Sequence, residues 1–251
     1  MLRRFSLVLL VSLWACSNGH TPADRETDSA PPAAPRAADA RAAQEDPCPV
    51  VVFLGTSLTA GLGLLRERDT YVSRVAELAD SAGVPIRAVN AGVSGETSAG
   101  GLRRLDWVLR QPVDLLVLEL GANDGLRAQS PEALKANLEA IVDRTRARYP
   151  AARIVLAGME APPNLGPAYT KQFHDVFPAV ARERDLVLIP FLLEGVAGVP
   201  ELNQSDRIHP NPEGHRIVAR HVWTVLEPLV REMWNQAAAR ADSTSAAGVR
   251  R

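Results

Sequence analysis

A serine, a histidine and an aspartate in this chain have the chemistry of a nucleophilic acyl-transfer site. Ser57 follows the apolar run Val50–Leu54 and a glycine, and its hydroxyl needs a nearby base to become a strong nucleophile. His209 can serve as that base because histidine exchanges protons near neutral pH. Asp206, three residues earlier, can bind the other ring nitrogen and fix the tautomer. We therefore predict that these three side chains meet.

The tetrahedral intermediate of such a reaction needs hydrogen-bond donors for its oxyanion. Gly95 allows a backbone N–H to approach closely, Asn123 can offer a side-chain amide, and Ser57 can offer its own N–H. Taken without His209, Asp206 and Asn123, Ser57 could instead be a turn serine that caps a helix, or it could provide the hydroxyl of a phosphate-binding loop. The segment Asn123–Gly125 alone indicates only a turn, in which we expect Asp124 to be structural.

Alternating strands and helices must bring these distant residues together. Five apolar runs alternate with helical patterns, which is typical of a parallel sheet covered on both faces. The predicted strands are Pro49–Leu54, Ile86–Asn90, Asp114–Leu120, Arg153–Gly158 and Leu186–Pro190, and the predicted helices are Arg68–Ala82, Ser98–Arg110, Pro131–Tyr149, Ala168–Arg184 and Pro212–Gln236. We expect one α/β domain with a three-layer αβα, doubly wound, flavodoxin-like fold and five parallel strands. The polar segments should meet beyond the carboxyl ends of the strands, where such sheets bind ligands.

Four short blocks, in order along the chain, resemble those of the SGNH hydrolases, also called the GDSL type. The blocks are Gly55-Thr56-Ser57-Leu58, Gly95, Gly121-Ala122-Asn123-Asp124 and Asp206-Arg207-Ile208-His209. The resemblance extends from about Val50 to Leu229 and is closest to the secreted thioesterase I, lysophospholipase and arylesterase branch. It implies that Ser57, Asp206 and His209 are catalytic. It also implies that Gly95 and Asn123, with the Ser57 amide, form the oxyanion hole.

Thr56 departs from the pattern of that family, which usually has aspartate immediately before the serine. In the family this aspartate is thought to support the loop rather than to react, so the substitution leaves the mechanism intact. Thr56 is therefore where we expect altered loop geometry. The G-x-S-x-G elbow of ordinary α/β-hydrolases does not occur, and Gly92-Val93-Ser94-Gly95 is a near miss.

The resemblance implies an esterase or thioesterase for small to medium acyl substrates, including lysophospholipids, that forms an acyl-enzyme. Two alternatives stay open: a carbohydrate O-acetylesterase on the same scaffold, and a flavodoxin-like flavin- or phosphate-binding protein. Aromatic residues make up only 5% of the chain, which leaves few to stack on a flavin. The candidate residues for an acyl channel, which otherwise only pack their loops, are Leu62, Leu64, Leu65, Met159, Pro163 and Leu165.

Charge and motif content argue against several other classes. The formal net charge of −1 gives no reason to expect nucleic acid. No lysine-containing phosphate loop occurs, and no cluster of residues has metal-ligand spacing. We predict no cofactor, no metal and a monomer. We expect His174, His215 and His221 at surface or packing positions.

The first residues have the features of a bacterial export signal. Arg3 and Arg4 precede an apolar run over Phe5–Trp14, which is too short to span a bilayer. We predict a lipoprotein signal peptide over 1–15 with lipidation of Cys16, although an ordinary signal with an incidental cysteine is the alternative. A disordered tether over 16–47, the hydrolase domain over 48–236 and a disordered tail over 237–251 follow. The expected location is the periplasm, where the lipid on Cys16 attaches the protein to a membrane.

Overall fold

The computed structural model of the protein describes residues 48–248. The predicted signal peptide, the lipidation site Cys16 and the tether over 16–47 lie outside the described residues. Within the described range, no helix combines the length and the apolar character needed to cross a membrane.

Five parallel strands form the sheet that the apolar runs predict. They are β1 (Val50–Gly55), β2 (Arg87–Gly92), β3 (Leu115–Glu119), β4 (Arg153–Ala157) and β5 (Val187–Ile189). Their order across the sheet is β2-β1-β3-β4-β5, the flavodoxin-like order, and every neighbouring pair is parallel. β1 and β3 are buried along their whole length, as expected of central strands rich in valine and leucine. The predicted α/β architecture is confirmed.

Helices form two packed groups around this sheet. They are α1 (Ser57–Ala60), α2 (Tyr71–Ser81), α3 (Ser98–Val108), α4 (Ala122–Leu126), α5 (Pro131–Arg148), α6 (Pro167–Glu183) and α7 (Pro212–Gly248). α2 packs against α7, and α5 packs against both α3 and α6. α5 begins as its sequence predicts, because Ser130 accepts a hydrogen bond from the Ala133 N–H and Pro131 occupies the first helical position.

The last helix is longer than the sequence predicts. We expected it to end near Gln236 and residues 237–251 to be disordered, but α7 continues to Gly248. The stretch after Gln236 begins with three alanines and contains neither glycine nor proline before Gly248. Alanine has the highest helix propensity, so the helix can continue although this stretch has no apolar periodicity. The expectation of a disordered tail is therefore wrong for residues 237–248.

The short helices α1 and α4 are absent from the sequence prediction. Each contains too few residues for an apolar period to be recognised. They begin just beyond the carboxyl ends of the neighbouring strands β1 and β3, whose register sets Gly55 beside Glu119. This register brings the residues after the two strands together at one edge of the sheet.

Candidate active site

Ser57 is the first residue of α1 and lies two residues after Gly55, the last residue of β1. Thr56 caps this helix, because its side-chain oxygen accepts a hydrogen bond from the Leu58 N–H at 3.4 Å. Gly61 ends the helix in the left-handed region at φ 75°, and its N–H donates to the Ser57 carbonyl oxygen. The short helix therefore holds a serine that is 8% exposed at the carboxyl edge of the sheet.

Ser57, His209 and Asp206 form a continuous chain of hydrogen bonds. The Oγ of Ser57 lies 2.9 Å from Nε2 of His209, and Nδ1 of His209 lies 2.7 Å from Oδ2 of Asp206. With Nδ1 donating to the carboxylate, Nε2 is the nitrogen that can accept the serine proton. The structure therefore brings the three predicted side chains together.

A tight turn holds Asp206 against His209. Oδ1 of Asp206 accepts hydrogen bonds from the backbone N–H groups of Ile208 and His209, at 2.9 and 3.0 Å. Arg207 between them has φ 60°, a left-handed conformation that is uncommon for a residue with a side chain. The hydrogen bond with His209, followed by those from the two backbone N–H groups, lowers the pKa of Asp206 to about 2. Asp206 is therefore an ionised acceptor at neutral pH.

Gln204 joins the His209 loop to the loop after Ser57. Its side-chain amide donates to the carbonyl oxygens of Leu62, at 2.7 Å, and Pro210, at 3.0 Å. Its backbone N–H donates to the carbonyl oxygen of His209 at 2.8 Å. The sequence alone does not predict that Gln204 joins these loops, because its only signal is its position two residues before Asp206.

The predicted oxyanion donors Gly95 and Asn123 belong to neighbouring loops at the same edge. Nδ2 of Asn123 donates to the carbonyl oxygen of Glu96 at 2.9 Å, which uses one of the two amide hydrogens. Gly95 has φ +78° and its carbonyl oxygen accepts from Arg127 at 3.1 Å. Asp124 is structural as predicted, because its carboxylate accepts from both the N–H and the hydroxyl of Ser98.

Thr56 lies against the buried carboxyl group of Glu119. The Thr56 hydroxyl donates to Oε1 of Glu119 at 2.9 Å, and both residues are fully buried. Burial raises the pKa of Glu119 to about 7, although hydrogen bonds from Thr56 and Thr59 act in the opposite direction. The sequence patterns do not indicate that Glu119 lies beside the loop that contains Ser57.

An apolar groove of about 510 Å³ lies beside the loop after Ser57. Its lining residues are Gly63, Leu64, Leu65, Arg66, Asp69, Gln204 and Pro212. Of the candidate acyl-channel residues, Leu64 and Leu65 belong to this lining, whereas the other four do not. Met159 is buried in the core and Leu165 is half-buried, whereas Leu62 and Pro163 are exposed. The acyl channel stays a prediction.

The other histidines of the domain have separate environments. Nδ1 of His174 lies 2.6 Å from Glu160 at the surface, and His221 contacts the carbonyl oxygen of Phe191. His215 is buried, and its Nδ1 accepts a hydrogen bond from the Tyr71 N–H. Over residues 48–248, no group of three or more His, Cys, Asp or Glu side chains is arranged to hold a metal ion.

The site residues lie inside a region that matches a known family. A profile described as the GDSL-like Lipase/Acylhydrolase family matches residues 53–217, and this range contains Ser57, Gly95, Asn123 and His209. The chain belongs to this GDSL-like family. The GDSL family is the one that the four sequence blocks resemble, so that prediction is confirmed.

Named relatives of this GDSL hydrolase agree with the profile. Esterase TesA of Pseudomonas aeruginosa is 40% identical over 188 residues, which cover 74% of this chain and 92% of TesA. The Thioesterase 1/protease 1/lysophospholipase L1 of Escherichia coli K12 is 36% identical over 191 residues, which cover 76% and 88% of the two chains. A crystal structure of the psychrotrophic esterase EstA from Pseudoalteromonas, inhibited by monoethylphosphonate, superposes with a TM-score of 0.68 at 33% identity and covers 72% of this chain and 98% of EstA.

The GDSL protein is therefore a hydrolase. Its relatives are named for esterase, thioesterase and lysophospholipase activities, and this agrees with the esterase prediction. Both alternatives, the carbohydrate O-acetylesterase and the flavin- or phosphate-binding protein, are less well supported than the esterase.

Proposed function

We propose that Ser57 is the nucleophile of an ester and thioester hydrolase, with His209 as its base and Asp206 as the residue that orients the imidazole. The observation that carries the proposal is the unbroken hydrogen-bond chain, with 2.9 Å between Ser57 and His209 and 2.7 Å between His209 and Asp206. A hydroxyl and an imidazole at this separation have the geometry required for general-base activation.

The reaction consists of two acyl transfers. Ser57 Oγ attacks the acyl carbonyl carbon while Nε2 of His209 takes its proton. The tetrahedral intermediate then loses the alcohol or thiol, which receives that proton from His209, and an acyl-enzyme remains on Ser57. Water, deprotonated by His209, then attacks the acyl carbon. The bond from this carbon to Ser57 Oγ breaks, Oγ takes the proton back from His209, and the carboxylic acid is released. Asp206 stabilises the imidazolium that forms in each transfer.

We assign stabilisation of the oxyanion to the N–H groups of Ser57 and Gly95 and to Nδ2 of Asn123. The hydrogen bond from Asn123 to the Glu96 carbonyl supports this assignment, because it fixes the orientation of the amide. The close approach of β2 to α1 supports it too: a Cβ at Gly92 would lie 2.2 Å from the backbone nitrogen of Ala60. The segment that leads to Gly95 therefore lies directly against the helix that begins with Ser57.

The proposed substrates are small-molecule carboxylic esters and thioesters of small to medium acyl chains, including lysophospholipids. The names of the relatives support this range of acyl bonds. We assign the acyl channel to Leu62, Met159, Pro163 and Leu165. Leu62 is well placed for this role, because its N–H donates to the Ser57 carbonyl oxygen and its side chain is 45% exposed.

We further propose that the protein is exported and that a lipid on Cys16 holds it at the periplasmic side of a membrane. We also propose that it is a monomer. The basic residues and the short apolar run before Cys16 support this location. The tether over 16–47 would separate the hydrolase domain from the membrane. Replacing Cys16 with serine should move the protein from the membrane fraction to the soluble fraction, and unchanged membrane retention would contradict the anchor.

The test of the nucleophile combines turnover with covalent labelling. Ser57→Ala should lower turnover of a nitrophenyl butyrate ester by at least about 1000-fold while the circular dichroism spectrum stays unchanged. An organophosphonate should add its mass to the Ser57 peptide of the wild type and not to the variant. Ser81→Ala, which removes an exposed hydroxyl at the end of α2, is the control and should retain both turnover and labelling. Retained turnover in Ser57→Ala, or an adduct on another residue, would overturn the assignment.

A further inference from the structure

Three donors converge on the carboxyl group of Glu119. Oε2 accepts from the Thr56 N–H and from the Thr59 hydroxyl, each at 2.8 Å, and Oε1 accepts from the Thr56 hydroxyl at 2.9 Å. Glu119, Thr56 and Thr59 are all fully buried. A carboxylate within such a set of donors replaces the water that it loses on burial with protein hydrogen bonds.

The cluster continues from Thr59 to Tyr71 at the start of α2. The hydroxyl oxygens of Thr59 and Tyr71 lie 2.7 Å apart, and Tyr71 is fully buried. Burial raises the pKa of Tyr71 well above its ordinary value, so its hydroxyl keeps its proton and can donate it to Thr59. Thr59 in turn donates to Glu119, and the hydrogen bonds therefore run in one direction, from Tyr71 to the carboxylate.

The cluster surrounds the turn that contains Ser57. Thr56 precedes Ser57 and Thr59 follows it by two residues, so Glu119 holds the chain on both sides of the serine. Gly55 completes the packing, because a Cβ there would lie 2.1 Å from Oγ1 of Thr59 and 2.5 Å from Oε2 of Glu119. Glu119 itself is the last residue of β3, three residues before the start of α4, which contains Asn123. One carboxylate therefore connects the candidate nucleophile with the strand that leads to a candidate oxyanion donor.

We propose that the ionised carboxylate of Glu119 is a positioning residue, which fixes the turn around Ser57 and thereby the direction of its hydroxyl and N–H groups. The inference rests on the proposed role of Ser57 as the nucleophile. When Glu119 is ionised, its oxygens accept the hydrogens of both threonines and of the Thr56 N–H. A proton on Glu119 would turn one acceptor oxygen into a donor and disturb this arrangement.

Few charged or titratable groups face the cluster. Tyr71 approaches through Thr59, and its backbone N–H donates to His215, a residue whose pKa is lowered to about 4 by burial. Arg104 approaches from α3 and donates to the carbonyl oxygens of Ala91, at 2.7 Å, and Gly55, at 3.4 Å. Tyr71 and His215 both stay neutral between pH 5.5 and 8, because burial raises the pKa of Tyr71 and lowers that of His215. With its pKa raised to about 7, Glu119 is the member of the cluster that titrates in this range.

The principal test compares Glu119→Gln with the wild type across pH. At pH 8 the variant should have a kcat reduced about 10- to 100-fold and a KM within about threefold of wild type, because a displaced nucleophile affects the chemical step. The deficit should shrink at pH 5.5, where the wild-type carboxyl is protonated too. Thr145→Val removes a buried hydroxyl bonded to Ile141 in α5, and it should leave kcat unchanged at both pH values. A wild-type kcat in Glu119→Gln at pH 8, or a deficit that is the same at both pH values, would overturn the proposal.

Thr59→Val provides a second readout if Glu119→Gln fails to fold. It keeps the carboxyl but removes one donor to it, so the pKa of Glu119 should rise. The ratio of the variant's kcat to that of the wild type, in which the shared base His209 cancels, should therefore be lower at pH 7 than at pH 5.5. A ratio that is the same at both pH values would contradict the positioning role. Ser57→Ala, measured in parallel, separates the two proposals. Turnover by Ser57→Ala would overturn the proposed nucleophile, whereas an inactive Ser57→Ala beside a fully active Glu119→Gln would overturn the role of Glu119 alone.

Discussion

Gln204 and Leu62 join two loops that the sequence separates by more than half of the domain: the amide of Gln204 donates to the Leu62 carbonyl oxygen across 2.7 Å. The same amide donates to Pro210, directly after His209, so one side chain links the loops of the proposed base and the proposed nucleophile. Gln204→Ala should therefore lower kcat about 10-fold with little change in melting temperature. Steady-state kinetics on a nitrophenyl ester would measure this effect. Gln236→Ala, which removes an exposed amide on α7, is the matched control, and equal kinetics for the two variants would contradict the link.

Asp206 should stay ionised across the neutral pH range, because its pKa is lowered from 3.8 to about 2 by its hydrogen bonds. Its contribution to stability is present above about pH 4 and is lost as the pH falls through about 2. Asp206→Asn should lower kcat on the order of 1000-fold at pH 8, because the neutral amide cannot stabilise the imidazolium of His209 as a carboxylate does. Steady-state kinetics on one nitrophenyl ester would measure this loss, and a wild-type kcat in Asp206→Asn would contradict the proposed role of Asp206.

Asn123→Ala should lower kcat about 100- to 1000-fold and change KM little, because an oxyanion donor acts chiefly in the transition state. Gln129→Ala removes an exposed side chain just after α4 and should behave as wild type. The kcat and KM of both variants, measured on one ester, give the comparison. A loss confined to KM would indicate that Asn123 only binds the ground state.

The pKa of Glu119 predicts a cost in stability at alkaline pH. Below its ordinary value of 4.5 both the folded and the unfolded chain bind the proton, but between 4.5 and about 7 the unfolded chain releases it first. The contribution of Glu119 to the free energy of unfolding therefore falls by up to about 3 kcal/mol across this window and is constant above it. The melting temperature of Glu119→Gln relative to wild type should rise by roughly 5 °C from pH 5 to pH 8. An equal difference at both pH values would show that Glu119 does not titrate there.

The acyl channel and the apolar groove beside Gln204 can be distinguished by two leucine variants. Leu165→Ala should lower kcat/KM for an octanoyl ester about 3- to 10-fold more than for an acetyl ester, as expected for lost apolar contact with the longer chain. Leu65→Ala changes a groove residue that is 99% exposed and should affect both esters equally. The reverse selectivity would place the acyl chain in the groove.

The sequence could predict the residues of the candidate site because each lies beyond a recognisable strand or in a short family block. Parallel strands bring their carboxyl ends to one edge, so Ser57 and Asn123 had to be close once the sheet was predicted. The start of α5 could be predicted for a different reason, because a serine followed by proline is a local capping signal. Neither reason extends to the acyl channel, whose residues lie in loops without a regular pattern.

Glu119 and Gln204 could not be predicted for a physical reason. Glu119 ends a buried apolar strand, and its partners Thr56 and Thr59 lie 63 and 60 positions away in sequence. The effect of Thr56 depends on this buried carboxyl group. Thr56 caps α1 as an aspartate could, and its hydroxyl also donates a hydrogen bond to Glu119 that an ionised aspartate could not donate. Such contacts depend on tertiary distance, which no local pattern reveals.

Ser57 and His209 are 152 positions apart in the sequence, and this separation affects how fast their contact forms during folding. The pair forms only when a long chain segment closes on itself, and contacts of this kind form slowly because of their entropy. Under the proposed assignment, a ribosome-bound or partly translocated chain that lacks its last quarter would have Ser57 without its base. We therefore expect the unfinished polypeptide to be inactive and the appearance of ester hydrolysis during refolding to report the closure of the whole domain.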